Sequence, residues 1–597
     1  MRDAGALEEW IAMRLNAFFR ACLSSRLAMI GLTLFLVTAT WRLTVAAKEQ
    51  GQVTVEQSAE LMKQGNFKRA LELVEPQLLN PQTPPEAAAK FLQQAVQCLT
   101  RLDRVAETDA LLEKTIAVHS KKFEVLSSAG GIYLSLPSNG QVVGGVYSRG
   151  NSDGQGRAVW TSDRDRVRAL QLLKEALRLV PDNQPAVKVS VLRVLRQALM
   201  TNRSDRQAWQ LQRLTDLSQL PDFDETPPWW GRNQGSDAPV TAEGEPLYYS
   251  IPASWDATKS DGERYRWLLD QQKKVQPSEV PRVDLEFAQF AQSQFDVITL
   301  RSRGWFRLPD PADGDNAGAI LTLDTLAANE TVARLANGIR RFQLRDDYAF
   351  VPSFRQLADG PQGTIATQAR TLLAQCFENR RQYPQAAAEW QALLKQDPTS
   401  KLAQERLAQI TGKWLSFEPA RTQVSATQAK LGVRFRNGTK LSFTAEPINV
   451  AGLLDEVQRM LKANPKELNW SRMSIDQLGY TIVTEGDRKF VGQPVAQWTH
   501  DVVPRPEHRD SIAEVEVPKL PAGAYLVTVV LSDGNTDRIV LWLNDTAIVR
   551  KAQDGGPLYF VADSVTGTPI AGASLDLFGW KQEWVENGRR VNVLTKT

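Results

Sequence analysis

Residues Leu431-Gly432-Val433-Arg434-Phe435-Arg436-Asn437-Gly438-Thr439-Lys440-Leu441-Ser442-Phe443-Thr444-Ala445 mark a change of period in this chain. Leu431, Val433 and Phe435 recur at every second position, and Leu441, Phe443 and Ala445 do the same beyond Asn437-Gly438. Period two means a strand with one apolar face. Two such runs around Asn-Gly predict a hairpin closed by a type I′ turn. The apolar face then needs a second sheet to bury it.

Downstream, the pattern continues as strands with one helix. Leu453, Leu454, Val457 and Leu461 share a helical face over 450–463. Strand patterns follow at 479–483, 513–517, 525–531, 538–543 and 547–550, with turns at Pro521-Ala522-Gly523 and Asp533-Gly534-Asn535. Residues 425–552 thus read as an antiparallel β-sandwich with a helical insertion. Residues 556–597 read as the start of a second one. In it, strands at 557–563 and 574–578 flank Thr566-Gly567-Thr568-Pro569-Ile570-Ala571-Gly572-Ala573. There Gly567 supplies a tight turn, Pro569 an edge-strand entry and Gly572-Ala573 a close backbone passage.

Upstream the period is helical, in blocks at 54–220 and 263–420. Phe67 precedes Ala70, with Pro81 closing the block. Ala169, Leu173 and Ala176 lead to Pro181, and Tyr383, Ala386 and Trp390 lead to Pro398. Small residues let antiparallel helices approach, large ones fill the gaps, and Pro ends the second helix. The spacing resembles tetratricopeptide repeats, which would present a surface for a protein partner. Residues 127–156, with Gly130-Gly131, Gly144-Gly145 and Gly150, read as a flexible Gly-rich loop. Residues 221–262 read as a Pro- and aromatic-rich linker. Its Pro227-Pro228-Trp229-Trp230 and Tyr248-Tyr249 are expected to dock aromatics on a neighbouring helix.

The first 47 residues address the chain to a membrane. Arg14, Arg20 and Arg26 precede an apolar run from Leu27 to Trp41, followed by Arg42 and Val45-Ala46-Ala47. This suits a signal-peptide core with small residues at its cleavage site. An uncleaved anchor over 27–47, with Arg42 snorkelling, is the alternative. Both readings place the remainder outside the cytoplasm, in the periplasm or cell envelope, with the membrane touched only by this segment.

Composition narrows the function. The 597 residues are 42% hydrophobic and 23% charged, enough for several cores. Lys+Arg at 71 nearly balances Asp+Glu at 68, which argues against a nucleic-acid binder. Three Cys and three His leave no disulfide framework or zinc cluster. Cys98 and Cys376 sit in apolar helical stretches and read as core thiols. Asp310, Asp313 and Asp315 miss the EF-hand spacing and read as a polar turn. His119 falls on a helix, and His500 and His508 on a polar, Pro-containing loop. No nucleophile motif accompanies them, so no catalytic, cofactor-binding or metal-binding residue is nominated, and no enzyme is expected.

The stretch from Leu520 to Ala552, followed by Pro557 to Phe578, resembles macroglobulin domains of bacterial α-2-macroglobulins, as does Leu431 to Val450. The resemblance covers roughly residues 425–597. It implies seven-stranded sandwich modules and an endopeptidase inhibitor: a protease cuts a bait segment, the modules collapse, and a buried thioester captures the attacker. The family's thioester needs Cys-x-Glu-Gln. Here Cys22 is followed by Leu-Ser-Ser, Cys98 by Leu-Thr-Arg and Cys376 by Phe-Glu-Asn. The second sandwich pattern is unfinished at Thr597, so an N-terminal part of a longer protease trap is expected, its target proteases engaged through other regions. A structural or adhesion scaffold of repeats and sandwich spacers is the alternative.

Overall fold

The computed structural model describes residues 53–150, 156–201, 205–226, 238–297, 322–462, 488–554, 556–575, 577–585 and 589–596. The leader at 1–47, Pro227 to Trp230, the Asp310 turn and the strand expected at 479–483 lie outside the described residues. No helix among the described residues is long and apolar enough to cross a membrane. The chain divides into two compact units, Met1–Val283 and Asp284–Thr597.

The first unit is helical. Its helices are α1 (Val55–Lys63), α2 (Phe67–Leu78), α3 (Pro85–Arg101), α4 (Thr108–Val118) and α5 (Phe123–Tyr133), then α6 (Ser162–Leu179), α7 (Pro185–Met200) and α8 (Asp261–Val275). Thr54 and Gln57 form a reciprocal capping box that starts α1. Pro85 and Pro185 occupy first-turn positions, where the missing N–H costs nothing. Ala70, Ala88, Ala95, Ala169 and Ala176 are fully buried at the seams between successive helices.

The Gly-rich stretch is not a loop throughout, which corrects the reading of 127–156. Residues 127–133 belong to α5. A Cβ on Gly130 would lie 2.7 Å from Leu173 Cγ, so this glycine sets the closeness of α5 to α6. Beyond it, β1 (Asn139–Val143) and β2 (Val146–Arg149) form a hairpin. Gly144 (φ 57°) and Gly145 (φ 84°) supply its left-handed turn. The third strand, β3 (Arg157–Trp160), pairs on the other side of β1.

The second unit begins with helices and ends in sheets. Its helical part contains most of α9 (Val280–Phe295), then α10 (Phe350–Ala358), α11 (Thr364–Asn379), α12 (Tyr383–Gln396) and α13 (Lys401–Thr411), with a hairpin of β4 (Glu330–Leu335) and β5 (Gly338–Gln343). Helices α10 to α13 pack each on the next. Trp390 is fully buried between them and donates its indole N–H to Glu378.

The sandwich faces a three-stranded sheet against a four-stranded one. The first has the order β10 (Ser511–Glu516), β7 (Lys430–Arg436), β6 (Trp414–Phe417). The second has the order β12 (Thr536–Leu543), β11 (Gly523–Leu531), β8 (Lys440–Pro447), β9 (Ala496–Asp501). All pairings are antiparallel. Leu431, Val433, Phe435, Leu441, Phe443 and Ala445 are all buried in its core, as their alternation requires. At about 1.5–3 kcal/mol per large apolar side chain, this core is what holds the two sheets together.

The hairpin expected at Asn437-Gly438 does not form. β7 pairs with β10 and β6, whereas β8 pairs with β11 and β9, so the two strands lie in opposite sheets. Both apolar faces point into the same core from opposite sides. Asn437 (φ 57°) bends the chain, and Gly438 passes against Leu531, whose Cδ1 would lie 2.3 Å from an added Cβ. The dipeptide makes an arch between sheets, not a type I′ turn.

Helix α14 (Val450–Lys462) follows β8, and its first turns cover the outer face of the four-stranded sheet through Val450 and Leu453 against Ala524 and Leu526. β11 is therefore buried on both faces. After Asn544-Asp545, β13 (Thr546–Lys551) pairs with β14 (Leu558–Asp563) as a separate two-stranded sheet. Gly567 (φ 70°) closes the expected tight turn, and Asp563 Oδ1 accepts from the Val565 and Thr566 N–H groups. Gly572 is left-handed (φ 71°) with open space around it, so conformation and not crowding selects it. Among the described residues of the strand expected at 574–578, only Phe578 is in a strand. β15 starts at Phe578 and pairs, over Phe578–Val585, with β16 (Arg589–Lys596).

Candidate interaction site

A cavity of about 860 Å³ opens between α6, α7, α8 and the turn at Trp255. Leu192, Leu195 and Trp255 form its buried floor. Trp255 meets Trp267 edge to face, with ring centres 5.9 Å apart. Lys174 Nζ lies 5.9 Å from the Trp255 ring centre, and the Arg264 guanidinium 4.9 Å from it. At the rim Lys174 pairs with Asp256 at 3.1 Å, Lys188 with Asp182 at 2.7 Å and Arg178 with Glu175 at 2.6 Å. The rim charges cancel, and the floor is apolar and aromatic. Such a groove suits an apolar side chain of a peptide better than a phosphate or a metal.

Two buried charge clusters draw on α6, which also lines the groove. Asp261, at the start of α8, accepts from the Thr215 N–H at 3.0 Å and from Arg264 at 3.0 Å, with Arg166 at 3.6 Å. The Tyr249 ring lies over Gly262, where an added Cβ would come within 2.4 Å of it. This aromatic of the expected linker does dock on a helix. The second cluster centres on Arg149, which bridges Asp109 at 2.7 Å and Asp165 at 2.8 Å and donates to the Pro137 carbonyl. Burial opposes the Arg149 charge, but its hydrogen bonds to both carboxylates outweigh it and hold its pKa above the ordinary value. Burial pushes the Asp165 carboxyl up against the pull of Arg149.

In the second unit, polar groups knit the end of α13 to the sandwich. Asn437 Nδ2 donates to the carbonyls of Ile410 and Gly412, both at 3.0 Å. Its Oδ1 accepts from His508 Nδ1 at 3.1 Å. Burial, then the nearby Arg436, lowers the His508 pKa. Glu507 (φ 62°) and His508 (φ 58°) are consecutive left-handed residues, a strained pair. Arg509 pairs with Asp324 at 2.8 Å, and Arg436 with Asp510 at 3.2 Å.

The histidines are scattered. His500 lies on β9 and not in a loop, His508 lies in the hub just described, and His119 is buried beside α4 with Nε2 donating to the Leu78 carbonyl at 3.0 Å. Cys98 and Cys376 are buried free thiols. Burial raises both thiol pKa values, so neither is an activated nucleophile. No group of three or more His, Cys, Asp or Glu among the described residues could hold a metal ion. Sequence reasoning missed both the groove and the hub. Their residues come from segments far apart in the chain, and no local pattern links them.

No family model matches this chain, and no curated protein matches it. Solved structures do. The crystal structure of native alpha-2-macroglobulin from Escherichia coli spanning domains MG0-NIE-MG1 is similar at 11% identity, over 31% of this chain and 57% of that one, with a TM-score of 0.18. A structure of the same protein spanning NIE-MG1 is similar at 13% identity, over 31% and 83%, with a TM-score of 0.17. The likeness is to bacterial α-2-macroglobulin fragments. The chain spans 57% of the first of them.

Proposed function

We propose that this chain is the helical and first-sandwich portion of an exported, macroglobulin-like protein of the endopeptidase-inhibitor class. The observation that carries the reading is modular. Among the described residues a seven-stranded, two-sheet body ends at Leu543, and a new strand pair starts within three residues at Thr546. One sandwich is finished before the next sheet begins, as in a chain of modules. The part is proposed to be non-catalytic, with target proteases as partners through bait and thioester segments. No Cys-x-Glu-Gln occurs in these 597 residues. Export rests on the basic and apolar leader. The test is native-gel mobility of the complete gene product before and after limited proteolysis. A trap collapses on one cut and migrates faster while the fragments stay together. Unchanged mobility after the cut argues for a static scaffold.

A second reading is favoured by the groove. The helices, read as tetratricopeptide-like repeats, bury Ala70, Ala169, Ala386 and Trp390 at their seams. In the first unit, α6, α7 and α8 would offer the Trp255 groove to a protein partner, and the sandwiches would act as spacers.

A further inference from the structure

Three Asn-Gly dipeptides fall among the described residues, in three different settings: Asn139-Gly140, Asn337-Gly338 and Asn437-Gly438. Asn-Gly is the dipeptide most open to attack on its own side chain, because glycine leaves its nitrogen unhindered. We propose that Asn337 is a spontaneous deamidation site, and that Asn437 is kept from the same reaction by the contacts that tie the sandwich to α13.

In the reaction, the Gly338 backbone nitrogen gives its proton to solvent base and attacks Asn337 Cγ. The N–Cγ bond forms, the Cγ–Nδ2 bond breaks, and ammonia leaves with a proton from water. Water then opens the succinimide ring at either carbonyl and leaves an aspartyl or isoaspartyl residue. No other reactant is needed.

Asn337 is exposed in the two-residue loop between β4 and β5, where Leu335 pairs with Gly338. Gly338 has φ 118° and nothing within 4 Å of an added Cβ, so no side chain packs on the turn at that position. At Asn437 the leaving nitrogen itself donates to Ile410 and Gly412, and the oxygen accepts from His508. All three bonds must break before Cγ can turn toward Gly438, whose surroundings are filled by Leu531. Asn139 is held likewise. Its Nδ2 donates to the Gly150 carbonyl at 2.9 Å, and its strand is paired on both sides.

The test incubates the intact chain at mildly alkaline pH, digests it at acidic pH, and follows amide-to-acid conversion in each peptide by mass spectrometry. A parallel sample is unfolded in denaturant before incubation. In the folded chain position 337 is expected to convert at least roughly tenfold faster than 437 or 139, because those two react only through local opening. In the unfolded sample the three rates are expected to converge. Asn337→Gln should abolish the early product. Equal rates in the folded chain, or no conversion at 337 while the unfolded chain reacts, would overturn the proposal.

Discussion

The side-chain amide of Asn437 donates to the Ile410 carbonyl at 3.0 Å, so the corner between the two sheets of the sandwich also caps the end of a helix. The same amide reaches Gly412. Removing it leaves two part-buried carbonyls without a donor. Asn437→Ala should cost about 1–3 kcal/mol from those carbonyls, plus the strain of a left-handed alanine. Asn437→Gly loses the bonds but not the backbone fit, so it should cost less. Denaturant midpoints of the two variants check the order.

Gly438 and Leu531 test the arch. Gly438→Ala places a methyl against a fully buried leucine that has nowhere to go. The expected cost is about 1–3 kcal/mol. In the double variant with Leu531→Ala the clash disappears, so the combined loss should fall short of the sum of the single losses. Additive losses would mean that the two residues do not meet.

Arg149 stands between Asp109 and Asp165 with its side chain almost wholly buried. Arg149→Met strands a buried carboxylate and is expected to destabilise the first unit by about 3–5 kcal/mol. Arg149→Lys should recover little, since a point ammonium cannot serve both carboxylates in the guanidinium's plane. Thermal unfolding of the three proteins decides this.

His119 gives a pH signature. Burial holds its folded pKa below the ordinary 6.5, and its Nδ1 has no acceptor. The unfolded chain therefore takes the proton more readily. Stability from this site is complete above 6.5 and falls as pH drops from there toward the folded value. His119→Gln, which keeps a donor for Leu78 and cannot titrate, should flatten that part of the stability curve. Hydrogen exchange in α2 between about pH 8 and about pH 5 measures it.

The strands of the sandwich were legible because period two survives in Leu431 to Ala445 whatever the strands pair with. Their partners were not. An Asn-Gly pair signals a bend, and only the packing of Gly438 on Leu531 tells an arch from a hairpin. The helical blocks were legible from apolar spacing. The Gly130 contact was not, because glycine in a helix looks like a loop until the neighbouring Leu173 is in place. The groove draws Leu192, Trp255 and Trp267 from separate segments, and no local pattern links them.

The proposed function assigns the protein to a protease-trapping class. The most direct measurement mixes the complete gene product with an endopeptidase and compares hydrolysis of a large protein substrate with that of a small peptide. A trap protects the large substrate while the small one is still cut, and that is the expected result. Equal hydrolysis of both, at the rate of the free protease, would contradict it.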